Sequence, residues 1–208
     1  MHRLKARPAR SRLALVVLVL IAAGVLFAIN RPDPDPFQGQ AVTDPAFPSL
    51  TYGIQTFLWW DTGYAGTHLD WVRLMSYSHI KQTFGWRNME PEEGIWDYRQ
   101  GDRIVDEAER RGLKIIARLG QTPDWAVPAS AISADDTHDT PPTNLQDWAD
   151  YCQEVAERYS GRIQAYQIWN EPNLRREWGS QPPDAAGYVE LLAACSDEIR
   201  QADPEAII

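Results

Sequence analysis

Between Arg99 and Leu119 an amphipathic helix runs straight into a buried strand, and that pairing recurs along the chain. Over Arg99 to Arg111, Ile104, Val105 and Ala108 share one face while Asp102, Asp106, Glu109 and Arg110 share the other. Gly112 is placed to cap the helix, and Leu113 to Leu119 is an apolar run of strand length with Arg118 inside it. The same reading puts strands at Tyr52 to Leu58, His79 to Phe84 and Ile163 to Trp169, and helices at His68 to Met75, Asn144 to Tyr159 and Asp184 to Gln201. Asp203-Pro204 breaks the last helix, and Ala206-Ile207-Ile208 reads as the start of a fifth strand. Strands alternating with helices predict a parallel sheet with right-handed crossovers. No GxGxxG or Walker sequence follows the first strand, so a nucleotide-binding doubly wound sheet has no local support. Aromatic and acidic residues gather after the strands, as at the mouth of a (β/α)8 TIM barrel. The expected fold is therefore α/β, a barrel represented by about its first four β/α units.

The fourth unit carries the chemistry. Its strand stops in Trp169-Asn170-Glu171-Pro172-Asn173, and Pro172 cannot continue a hydrogen-bond ladder. Asn170 and Glu171 thus fall at the strand's carboxyl end, where barrels keep catalytic side chains. A carboxyl beside an indole and an amide suits a proton donor, because apolar surroundings favour the protonated form of an acid. Trp59, Trp60, Trp86, Trp125, Trp169 and Trp178 also follow strands. Each offers a ring face to a sugar, and each could equally serve as packing. Trp71 and Trp148 lie on helix faces and read as core. Arg118, within an apolar strand, calls for a carboxylate partner; it either forms a structural ion pair in the pore or orients a catalytic acid.

These residues carry a resemblance. Trp169-Asn170-Glu171-Pro172-Asn173 resembles the strand-four motif of clan-A glycoside hydrolases, the cellulase-like and β-xylosidase-like (β/α)8 barrels. Upstream, Glu90-Pro91-Glu92-Glu93-Gly94 with Trp96-Asp97, the helix end Glu109-Arg110-Arg111-Gly112-Leu113-Lys114, and Thr122-Pro123-Asp124-Trp125 follow in the order of those families. The resemblance implies a retaining glycosidase without metal or cofactor, with Glu171 as general acid/base and Asn170 on the sugar's 2-hydroxyl. Its nucleophile would be a Glu closing a seventh strand, and no residue here corresponds to it. A full barrel takes about 250 residues, and 160 follow Pro48. The chain is thus expected to be the amino-terminal part of an enzyme on oligo- or polysaccharides rather than a natural half barrel. The rival expectation is a non-catalytic carbohydrate-binding or sensor protein.

The amino terminus divides by composition. Residues 1–12 hold five basic residues and no acid, and residues 13–29 form an uncharged apolar run. Such a run with a basic flank predicts a membrane anchor with the remainder exported, in preference to a cleaved signal. Alternating prolines mark residues 30–48 as a linker, leaving residues 49–208 for the barrel. Beyond residue 12, 15 Lys and Arg face 29 Asp and Glu, a balance of −14 that disfavours nucleic acid as a partner. His2, His68, His79 and His138 show no metal-ligand spacing. Cys152 and Cys195 each fall on the apolar stripe of a helix; export permits a disulfide, but both stripes should face the sheet, which favours buried free thiols.

Overall fold

A computed structural model describes residues 17–26, 51–61, 63–131 and 139–208. Two units separate, Met1–Pro45 and Ala46–Ile208. In the first, residues 17–26 are helical. The rest of the expected anchor, the basic tail and the linker up to residue 48 lie outside the described residues, apart from these ten. No helix among the described residues is long and apolar enough to cross a membrane.

The second unit is a parallel sheet in sequential order, β1 (Gly53–Thr56), β2 (His79–Gly85), β3 (Lys114–Gly120) and β4 (Ala165–Ile168). Between them run α1 (Ala65–Leu74), the short α2 (Trp86–Met89), α3 (Arg99–Arg110) and α4 (Leu145–Arg158), with α5 (Ala185–Ala202) after β4. Gly112 and Gly161 follow α3 and α4 with φ of 62° and 72°, the left-handed turn that lets each helix hand over to the next strand. Asn144 and Asp184 begin α4 and α5 by accepting hydrogen bonds from Gln146 N and from Ala186 N and Gly187 N. A parallel bridge between Ala165 and Ile207 places the last residues beside β4, as the start of a fifth strand would be.

Register separates the two faces of the sheet. Ile80, Phe84, Ile115, Ala117, Leu119, Tyr166 and Ile168 join a core with Leu69, Val72, Ile104, Val105, Ala108, Val155 and Ile199 from the helices. The alternate positions pair Thr83 with Arg118 and Arg118 with Gln167, and Lys81 shares this polar face. Trp148 is fully buried as expected, whereas Trp71 is exposed, because it sits on α1 beside β1, the edge of the sheet.

The cysteines overturn an expectation. Cys152 and Cys195 form a disulfide, with Cα atoms 5.3 Å apart. Helices α4 and α5 lie side by side on the sheet, and Trp148 Nε1 donates to Leu191 O across their seam at 3.0 Å. A residue on that seam faces the neighbouring helix as well as the strands, so the two stripes meet each other. Both cysteines remain fully buried.

Candidate active site

The ladder ends where Trp169 N donates to Leu119 O at 2.9 Å. The backbone then turns sharply: Trp169 and Glu171 take φ of 66° and 40°, a conformation costly for residues with side chains and concentrated at functional sites. Asn170 between them is partly buried, and its Nδ2 donates to Glu177 Oε2 at 3.1 Å. Arg176 Nη2 donates to Glu171 Oε2 at 2.7 Å, and Arg176 Nε lies 3.5 Å from Glu177 Oε1. The single turn of 3-10 helix at Arg175–Glu177 brings these two residues back over the strand end.

Glu171 thus occupies the strand-end position expected, but not the expected surroundings. Its side chain keeps 49 % of its surface exposed and is neutralised by Arg176 rather than enclosed by indoles. The nearest indole in sequence, Trp169, is only 2 % exposed. It packs edge-on between Trp148 and Trp178, at 5.9 and 5.8 Å, and donates Nε1 to Glu177 O at 2.7 Å. A ring with an internal acceptor and two aromatic neighbours gains more from the core than from the mouth. Trp169 is therefore a packing residue and not a sugar platform.

Trp86 is corrected in the same way. Fully buried, it stacks on Tyr151 at 5.3 Å and meets Trp125 edge-on at 5.4 Å, with Nε1 donating to Glu90 Oε2 at 2.7 Å. Trp178 is buried as well. Trp59 is half-buried against Phe84, 6.0 Å away edge-on. Trp60 is 56 % exposed and offers a ring to solvent. Trp125 is half-buried and lines a recess of about 330 Å³ with Glu90, Glu93, Trp96 and carboxylates of α4.

Glu90, which the sequence placed only in a loop motif, anchors that wall. It is 6 % exposed, and its two oxygens accept from Trp86 Nε1 and Gly94 N. Burial pushes its carboxyl above the ordinary range; the bonds from Trp86 and Gly94 oppose this, while Asp147 and Glu93 add to it. The spacing of Trp86 and Glu90, four apart and flanking a helical turn, was the available signal.

On the open face, Arg118 is half-buried and has no ion pair or side-chain hydrogen bond among the described residues, so the carboxylate partner expected for it is not found there. Its neighbour Lys81 has its pKa lowered by burial and then by Arg118, with Glu171 opposing. Gly85, at the end of β2, leaves room for Gln121 and Asn88, whose side chains a Cβ there would strike. Among the described residues no group of His, Cys, Asp and Glu is arranged to hold a metal ion.

The fold of the sheet and its helices is shared with known proteins. The crystal structure of the GH39 enzyme from Xanthomonas axonopodis pv. citri aligns with a TM-score of 0.58 at 19 % identity, covering 74 % of this chain and 33 % of that one. A monomeric β-xylosidase from Caulobacter crescentus CB15 aligns at 0.57 and 20 %, covering 74 % and 34 %. A family 39 glycoside hydrolase from the gut symbiont Bacteroides cellulosilyticus WH2 aligns at 0.54 and 19 %, covering 74 % and 30 %. At these identities the likeness is one of fold, and the chain spans about a third of each structure's length. No curated protein matches. The model of Glycosyl hydrolases family 39 matches residues 63–207, most of the chain; the chain belongs to glycosyl hydrolase family 39.

Proposed function

We propose that this chain supplies the acid/base half of a retaining glycosidase acting on oligo- or polysaccharides. One observation carries the reading: Asn170-Glu171 ends the fourth strand of a parallel sheet within a family 39 match. Glu171 protonates the departing glycosidic oxygen while a second carboxylate attacks the anomeric carbon. Glu171 then takes a proton from the water that releases the covalently held sugar. Asn170 holds the 2-hydroxyl, and Trp59, Trp60 and Trp125 are the strand-end aromatics with surface left to meet a sugar. Arg118 and Lys81 supply positive charge on the open face beneath. Two of the similar structures are β-xylosidases, so aryl β-xylosides are the first substrates to try.

The domain works outside the cytoplasm, held by the apolar run at residues 13–29. The buried disulfide favours an oxidising compartment for it.

The experiment is Glu171→Gln in the full-length protein. Aryl glycoside turnover is expected to disappear while sugar binding stays within about threefold, since the amide keeps the shape but cannot donate the acid's proton. Unchanged turnover would remove Glu171 from the role. The exposed ion pair of Glu171 with Arg176 favours one alternative, a carbohydrate-binding protein without chemistry. Sugar binding by a full-length wild type that hydrolyses nothing would establish that instead.

A further inference from the structure

We propose that Glu177 is a positioning residue that sets both Asn170 and Glu171, an inference resting on the hydrolase reading above. One side chain reaches both members of the pair. Glu177 Oε2 accepts from Asn170 Nδ2 at 3.1 Å, and Oε1 faces Arg176 Nε at 3.5 Å, whose Nη2 in turn holds Glu171 Oε2 at 2.7 Å. The main-chain oxygen of Glu177 accepts Trp169 Nε1 at 2.7 Å, so residues 169, 170 and 171 are all tied directly or through one partner to this position.

An ionised carboxylate only accepts hydrogen bonds. Glu177 therefore turns the nitrogen of the Asn170 amide toward itself and leaves Oδ1 to accept a sugar hydroxyl. Only 15 % of the Glu177 side-chain surface is exposed, so water competes weakly for these bonds. The left-handed backbone at Trp169 and Glu171 is unfavourable by itself, and a conformation of that kind persists where its surroundings over-determine it. The anchorage at Glu177 is that over-determination. Removing the carboxylate frees the Asn170 amide to rotate and releases one end of Arg176, leaving the acid on a looser tether.

The test uses full-length Glu177→Ala and Glu177→Gln with 4-nitrophenyl β-xyloside and its 2-deoxy analogue. Glutamine keeps an acceptor for Asn170 but removes the charge facing Arg176. Glu177→Ala is expected to lower kcat/KM about 10-fold or more on the xyloside, as for loss of a hydrogen bond to a charged group. On the 2-deoxy analogue, which never uses Asn170, only the share passing through Arg176 to Glu171 is lost, about threefold, and Glu177→Gln, which restores the acceptor for Asn170 but not that charge, should bring the xyloside loss back to about the same threefold. Equal losses on both substrates would mark a purely structural residue and overturn the inference. Hydrogen exchange of the Asn170 side-chain amide gives a reading independent of turnover. It should be slow in the wild type and in Glu177→Gln, and fast in Glu177→Ala. Identical exchange in all three overturns the inference whether or not any glycoside is cleaved; a wild type with slow exchange and no turnover sinks the hydrolase reading alone.

Discussion

Asp102 and Arg158 join α3 to α4 through a two-pronged contact, Nε to Oδ1 at 2.8 Å and Nη2 to Oδ2 at 2.5 Å, with Tyr159 Oη donating to Oδ1 at 3.1 Å. The hydrogen bonds from Arg158 hold the Asp102 carboxyl below its ordinary range, with burial opposing them. An acid whose folded value is depressed stabilises the fold above its unfolded pKa, here near 3.8, and loses that contribution as pH falls through the folded value. Both side chains are about a third exposed, so solvent screens the pair. Asp102→Asn is expected to cost about 0.5–1 kcal/mol at pH 7 and nothing once Asp102 is protonated. Urea unfolding of both proteins across pH 2 to 7 checks this, and a difference that does not shrink toward acid would refute it. Single partners also decide the fate of the tryptophans. Which indoles became core depended on acceptors such as Glu90 and Glu177 O, which lie on other segments or several residues away.

The helices and strands were legible because each obeys a local rule. The apolar spacing of α3 and α4 and the caps Asn144 and Asp184 place those helices within about a residue of where the sequence puts them. The seam between α4 and α5 was not legible, since helical periodicity tells which face is apolar but not which neighbour fills it. The disulfide across that seam closes a loop of 43 residues, and such a cross-link contributes about 2–4 kcal/mol by restricting the unfolded chain. Reductant should therefore lower the melting temperature by several degrees, and the double substitution Cys152→Ala, Cys195→Ala should melt lower and ignore reductant. A wild type whose melting is indifferent to reductant would contradict the bridge.

The sheet as a unit is one-sided. Parallel sheets are ordinarily covered on both faces, yet α1, α3, α4 and α5 pack on one, and Lys81, Arg118 and Gln167 line the other. The retaining hydrolysis proposed above needs a second carboxylate about 5 to 5.5 Å from the first, which the family resemblance would put at the end of a seventh strand. Residues 1–208 supplied alone are accordingly expected to show no hydrolysis of aryl glycosides above background. Turnover by that polypeptide, lost in Glu171→Gln, would mean that the second carboxylate lies within it.

The amino-acid order by itself determined the alternation of strands and helices, the turns at Gly112 and Gly161, and the position of Asn170-Glu171 at the end of β4. Those follow from periodicity and backbone chemistry over a few neighbouring residues. Only the tertiary structure decided that Trp86 and Trp169 are buried, that Cys152 meets Cys195, and that Glu171 pairs with Arg176 in place of an apolar pocket. Each of these is settled by which partner reaches a given space, and spacing along the chain does not encode that.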